Sequence, residues 1–140
     1  MSRDYIKHHT EGTMRELIAA KILMEQGYRI STPNFGACRY DIIAEKFPIF
    51  IRVQVKPLKP LSLSTETLQK WSVQAESNNK PYTNADCDVI MAINLESNNF
   101  AIVPIEKATG LFNISTHNTN TRRQYLNSFV GLEEVGGITV

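Results

Sequence analysis

RYDIIAEKFPIFIRVQVK, residues 39–56, is the stretch whose reading decides the fold. It reads as two short β-strands, 39–46 and 49–56, joined by a turn at Phe47-Pro48. The second strand alternates. Ile49, Ile51, Val53 and Val55 point to one face, and Phe50, Arg52, Gln54 and Lys56 to the other. Asp41 is followed directly by Ile42, Ile43 and Ala44, which places it inside the first strand, where Asp is uncommon. Pairing across the short turn brings Asp41 towards Gln54 and Lys56. An acid, an amide oxygen and an ammonium converging on one sheet face look like the donor set of metal-assisted phosphodiester cleavage. The plain alternative for Gln54 and Lys56 is a solvated strand face, because so short a polar pattern carries little information.

Upstream, the spacing predicts a helix over 13–26, ended by Gly27. Glu16 shares a face with Ala19, Ala20 and Leu23, the pattern of a core stripe. An unpaired carboxylate there is expensive, so a partner is expected, a metal ion among the candidates. A second reading stands beside it: Thr13 and Glu16 fit a capping box, with Glu16 reaching back to the backbone of the cap. A short strand at 28–31 and a turn at 32–36, with Pro33, Asn34 and Gly36 as breakers, complete the N-terminal part.

Downstream, Pro57 and Pro60 stop the second strand and open a Ser/Thr-rich loop. Residues 67–76 read equally as a short helix or a strand, and 77–81 as a loop. A buried strand is expected at 88–95, a turn at 96–99 and a return strand at 100–104. A helical turn at 105–110 ended by Gly110, a surface loop at 116–121 and a C-terminal helix within 122–134 follow. A helix and then mostly antiparallel strands argue an α/β chain of the α+β kind: one N-terminal helix packed on a central mixed, largely antiparallel sheet. The expected organisation is one domain, with a flexible arm at 1–10, a core at 11–107 and a C-terminal extension at 108–140.

A chain of 140 residues is long enough to bury a real core and short enough for one domain. Its apolar runs are too short to span a bilayer, so no membrane role is expected. The N-terminus, MSRDYIKHHTEG, lacks an apolar signal core, which points to an intracellular, cytoplasmic protein. Cys38 and Cys87 form no CxxC motif and are expected to be reduced and packed. A net charge of +1 is low for a nucleic-acid-binding surface as a whole, but it leaves room for a local basic cleft.

Candidate DNA contacts are spread along the chain. Lys7, His8 and His9 lie in the arm; adjacent histidines without spaced partners make a poor metal site. Arg39 and Arg52 either clamp phosphate or pair with local acids such as Glu45. Lys59, Lys70 and Lys80 lie in or near loops after the second strand. Trp71 either stacks on a base or belongs to the core. Gln69, Gln74, Asn78 and Asn79 are of the type that pairs with adenine. Arg122 and Arg123 offer a further phosphate contact. For each of these, ordinary polar surface is the alternative.

Glu16 on a helix, Asp41 on a strand and Gln54-Val55-Lys56 on the paired strand resemble the PD-(D/E)XK nuclease superfamily, whose core is a helix, a three-stranded meander, a helix and a strand. Tyr40-Asp41-Ile42-Ile43-Ala44 resembles the strand that carries the metal-binding Asp, and Gly27-Tyr28-Arg29-Ile30 the start of the first strand. Tyr40 stands in place of the signature Pro, and Gln54 in place of the second acid. A Gln in that slot, with the Glu, Asp and Lys kept, is similar to the group I intron-encoded homing endonucleases of this type. Tyr82, Asp86-Cys87-Asp88-Val89-Ile90 and Phe100-Ala101-Ile102-Val103-Pro104-Ile105 resemble their remaining strands. The resemblance covers residues 11–107.

It implies a Mg²⁺-dependent endonuclease acting on double-stranded DNA as a dimer or tetramer, in the cytoplasm and on the nucleoid when bound. It implies catalytic roles for Glu16, Asp41, Gln54 and Lys56, with metal held by Asp41, Gln54, the Val55 carbonyl and Glu16. Two other readings remain open: a junction-resolving or repair nuclease, and a catalytically silent DNA-binding module.

Overall fold

The computed structural model describes residues 3–34, 38–61 and 68–136. Helix α1 (Arg3–Glu25) begins ten residues earlier than the sequence pattern suggests. The expected arm is therefore helical from Arg3. No Gly or Pro interrupts residues 3–11, and Thr13 sits in mid-helix, its hydroxyl donating back to the His9 carbonyl at 3.2 Å. Thr13 is thus no N-cap, and the capping-box reading of Glu16 is overturned. The C-terminus of α1 follows expectation. Gly27 takes φ +92°, its N–H donates to Met24 O at 2.9 Å, and Tyr28 N–H donates to Leu23 O at 3.1 Å. This double closure is a Schellman motif, which favours glycine because the conformation is left-handed.

Strands β1 (Arg29–Ser31), β2 (Ile42–Lys46) and β3 (Ile49–Pro57) form an antiparallel meander. Strand β4 (Lys59–Pro60) follows, then β5 (Lys70–Ser77) and β6 (Lys80–Pro81). Strands β7 (Val89–Ile93) and β8 (Phe100–Pro104) form a hairpin. Strand β9 (Gly110–Ser115) and helix α2 (Val130–Gly136) close the chain. The main sheet has the order β1-β2-β3-β7-β8, and only β3 and β7 run parallel. The smaller sheet is built on β5, which pairs with β4, β6 and β9. Among the described residues no helix is long and apolar enough to cross a membrane.

Three layers result. Both helices cover one face of the main sheet, where Ala19 and Leu23 of α1 and Leu132 of α2 pack with Ile42, Ala44, Ile51, Val53, Val55 and Met91. The smaller sheet covers the other face, where Trp71, Val73, Ala75 and Ile114 meet Ile90, Ala92, Val103 and Tyr125. Alternation along β3 sends Ile51, Val53 and Val55 to the helix side, as its sequence predicts.

Helix α2 approaches β8 closely at Gly131, where an added Cβ would collide with the Ile102 carbonyl oxygen and crowd Pro104 at 3.3 Å. Backbone cannot yield as a side-chain tip can. Gly131→Ala is therefore expected to cost about 1–3 kcal/mol, read as a lowered melting temperature.

Several sequence expectations need correction. Of the two readings left open for 67–76, the strand is the one found, at 70–77, because Trp71, Val73 and Ala75 alternate into the core. Strand β9 was not anticipated. The expected C-terminal helix is divided into a short 3₁₀ turn at Arg123–Tyr125 and α2. Cys38 is exposed rather than packed, while Cys87 is buried. The Ser/Thr-rich stretch at 62–67 and Gly36 of the expected turn lie outside the described residues.

Candidate active site

Strand β3 is longer than β2. Their register runs from Lys46↔Ile49 to Ile42↔Val53, so Gln54 to Pro57 extend past the start of β2 and keep only β7 beside them. Asp41 stands just outside β2, not within it, and fills this gap. Its N–H donates to Val53 O at 2.8 Å, and its carboxylate Oδ2 accepts the Val55 N–H at 2.9 Å. A side chain thus completes the ladder where the strand has ended. In an extended strand the N–H and C=O of one residue point to the same side, so the Val55 carbonyl also opens beyond the end of β2.

Gln54 is 8 % exposed, and its amide nitrogen Nε2 donates to Val55 O at 3.3 Å. Turning the amide by half a revolution exchanges Nε2 for Oε1 beside the same carbonyl. Two oxygens that share a cation at about 2.0–2.6 Å from each lie roughly 3 Å apart, so this spacing suits a common ligand.

Glu16 meets Asp41 from the helix side. Burial, then the Asp41 charge, then a hydrogen bond with Asp41 push its carboxyl up to about 7, while Arg15 pulls the other way. Two carboxyls brought together without a cation resist double ionisation, and one keeps its proton. Glu16 and Asp41, with Thr32, Pro33, Cys38 and Tyr40, line an open cleft of ≈ 400 Å³. The donors here are all oxygens, two carboxylates, one amide and one carbonyl, which fits a hard divalent cation. Among the described residues no three His, Cys, Asp or Glu side chains gather into a metal-binding group. With Gln54 in the acidic slot, the described residues bring two acids to the site, and the backbone and the amide supply the remaining protein oxygens.

The Glu16 shift has a consequence for the metal-free protein. Below the ordinary value of 4.5 both folded and unfolded chains hold the proton. Between 4.5 and about 7 the folded chain holds it more tightly. Stability is expected to fall with rising pH across that window and to level off above it. Glu16→Gln is expected to remove this slope, measurable by thermal melts in chelator from pH 4 to pH 8.

Lys56 points to the opposite face from Val55. Its Nζ donates to Glu76 O at 3.3 Å and lies 4.9 Å from the centre of the Tyr82 ring. The Arg39 guanidinium sits on the same ring at 4.1 Å. Tyr82, which residue spacing alone does not single out, is buried and holds both cations. The metal-candidate residues are thus joined through Asp41 and Val55, while the Lys56 ammonium rests one layer over, on Tyr82.

Both arginines are structural anchors as they stand. Arg39 donates to Asp86 at 2.8 Å and to the Lys80 and Pro81 carbonyls at 2.9 and 3.4 Å. Arg52 donates to both oxygens of Asp88, at 3.2 and 3.0 Å, and to the Ala85 and Asn84 carbonyls at 3.1 and 2.7 Å. Their partners are Asp86 and Asp88, not Glu45. The signal was present in the sequence as two acids flanking Cys87 at the start of β7.

The remaining DNA candidates divide by exposure. Trp71 is buried in the core, which removes it as a stacking residue. Arg122 donates to Lys107 O at 2.7 Å and covers Phe112 at 4.9 Å. Lys7, His8, His9, Lys59, Lys80 and Arg123 are exposed, and Lys70 is half-buried on β5. His8 and Lys59 share a second open cleft of ≈ 420 Å³ with Glu11, Arg15 and Glu96. Asp41 does not line that cleft, which has mixed charge.

No curated protein matches the chain. Among solved structures it is similar to a bacterial homing endonuclease, I-Ssp6803I, at 18 % identity and a TM-score of 0.68, over 92 % of this chain and 95 % of that one. At this identity the likeness establishes the fold. A family model described as PD-(D/E)XK endonuclease matches residues 6–128, which take in Glu16, Asp41, Gln54 and Lys56. With the match spanning most of the chain, the protein belongs to the PD-(D/E)XK endonuclease family.

Proposed function

We propose that the chain is a Mg²⁺-dependent DNA endonuclease that hydrolyses phosphodiester bonds in double-stranded DNA at the Glu16–Asp41 cleft. The observation that carries the reading is the pairing of these two carboxyls beside the Val55 peptide, where β2 has ended and β3 continues. Asp41, the Val55 carbonyl, Gln54 Oε1 and Glu16 would hold the cation. When bound, it would supply Lewis-acid polarisation of the phosphate and a lowered pKa for water.

The side chains divide the remaining work. The Asp41 carboxylate accepts the Val55 N–H and so fixes that residue, which sets the direction of its carbonyl. Glu16 carries a proton in the metal-free cleft and releases it once a cation offsets the Asp41 charge. Lys56, drawn from Tyr82 to the scissile phosphate, offsets charge that grows on the non-bridging oxygens and orients the attacking water. In-line attack would leave 5′-phosphate and 3′-hydroxyl ends.

Site-specific cleavage of the homing kind is the form we favour, because Gln54 stands in the acidic slot and the fold neighbour is named a homing endonuclease. Cutting both strands needs two such clefts, hence a homo-oligomer. The test is incubation of supercoiled plasmid and genomic DNA with the protein in Mg²⁺. Nicked and linear products that vanish in chelator are expected. Intact DNA at micromolar protein in Mg²⁺ and in Mn²⁺ would remove the nuclease reading and leave a silent DNA-binding module.

A further inference from the structure

The β5–β6 hairpin adjoins the candidate site. Ser77 pairs with Lys80, which leaves Asn78 and Asn79 as a two-residue turn. Both have left-handed backbones, φ 54° and 61°. This is the type I′ turn, which strongly favours glycine at its second position. The chain instead places asparagine at each position, the L residue that with aspartate best tolerates this conformation.

The turn conformation accounts for asparagine at both positions, but no hydrogen bond among the described residues uses the two amides. The side chains of Asn94, Asn99, Asn120 and Asn127 all hydrogen-bond within the fold, some in their own turns and some across it. Asn127 shares the left-handed backbone, at φ 52°, and its amide oxygen accepts the Phe100 N–H at 2.8 Å. The amides of Asn78 and Asn79 bond to nothing among the described residues, and both side chains are exposed.

The base of the hairpin is tied to β3 and to the segment that carries Asp41. Lys56 donates to Glu76 O at 3.3 Å, and Arg39, two residues before Asp41, donates to Lys80 O at 2.9 Å. Asn78 is two residues beyond Glu76, about 7 Å along the strand. Base pairs rise about 3.4 Å each, so the tip stands within roughly two or three steps of a phosphate at Lys56. A two-residue turn is narrow enough for the major groove, about 12 Å wide.

We infer that the Ser77–Lys80 tip is a base-reading finger. Asn78 and Asn79 present their amides to base edges in the major groove beside the cut, adenine being the base whose edge an Asn side chain matches. Lys80 contacts the adjacent phosphate, and Arg39 braces the finger against the segment that carries Asp41. The inference rests on the DNA-cleaving reading above for its position, and on the two unpartnered amides for its content.

The test is selection from a random duplex library in Ca²⁺, with the wild type, Asn78→Gly, Asn79→Gly and the double variant. Glycine suits the turn, so each variant is expected to melt at or above the wild-type temperature. The wild type is expected to enrich a motif, and the double variant to lose its preference, on the order of tenfold, at one to three adjacent base pairs while keeping the rest. The single variants are expected to lose part of the same block. An unchanged motif in the double variant overturns the inference. So does the absence of any motif in the wild type, or uniform loss across the motif in both single variants. A wild type that selects a motif but never cuts in Mg²⁺ overturns the nuclease reading and leaves the finger standing.

Discussion

Asp41→Asn is expected to abolish Mg²⁺-dependent cleavage, with a rate loss of about a thousandfold or more, while leaving the fold intact. Asparagine keeps the shape and an amide oxygen to accept the Val55 N–H, so the 2.9 Å bond that completes the ladder survives. Only the charge is lost. Among the described residues the site contains two carboxyls and no third, so removing one leaves a single acid, an amide and a carbonyl to hold a divalent ion. Relief of the charge facing Glu16 should also bring that carboxyl back towards its ordinary value. The metal-free variant is therefore expected to be at least as stable as wild type above pH 7, by thermal melting in chelator. Lost cleavage together with an unchanged or raised melting temperature separates a functional charge from a structural one. Cleavage within tenfold of wild type would show that Asp41 is only a ladder cap.

Lys56→Met is expected to lower the cleavage rate by about 10²–10³-fold, the range for removing one group that stabilises developing charge. Methionine keeps most of the apolar stem and loses the ammonium. Lys56 is half-buried, and among the described residues its Nζ makes only the Glu76 carbonyl bond and the Tyr82 contact, so the structural cost should be small. Single-turnover cleavage on a pre-bound duplex reads the chemical step directly. The ammonium rests on Tyr82 rather than in the cleft, so the loss should fall on that step and not on DNA affinity. A variant that binds weakly but cuts at wild-type speed once saturated would make Lys56 a phosphate anchor.

How much of this was legible in the sequence differs from element to element, for physical reasons. The pairing of 39–46 with 49–56 was legible because β3 is half-buried on one face and its alternation is unbroken. Glu16 was legible as an acid beside Ala19 and Leu23, and the structure supplies the neighbour, Asp41, that such a position requires. The first half of α1 was not legible. Residues 3–10 are exposed all round, so no apolar stripe exists there to show a helical period. Strand β9 was hidden because Leu111 and Phe112 sit side by side, one out and one in, and blur the alternation. Its partner, β5, pairs across a wide gap in sequence, from Lys70↔Ser115 to Ala75↔Gly110.

The arginines show the limit most clearly. In the sequence Arg39 and Arg52 read either as phosphate clamps beside a candidate site or as partners of local acids. Their partners Asp86 and Asp88 lie 47 and 36 residues away, and only the parallel crossing of β3 and β7 brings them together. Tyr82 escaped for the same reason, since nothing local marks it as the ring on which two cations meet.

The central claim is that Glu16, Asp41, Gln54 and the Val55 carbonyl form one divalent-cation site, and Mn²⁺ binding to the DNA-free protein tests it most directly. Titration followed by electron paramagnetic resonance at pH 8 is expected to show one saturable site per chain. Affinity should fall at least tenfold in Asp41→Asn, and should weaken in the wild type as the pH drops through about 7, where Glu16 takes up its proton. Equal Mn²⁺ binding by the wild type and Asp41→Asn, or wild-type affinity that does not change between pH 8 and pH 5.5, would contradict the account.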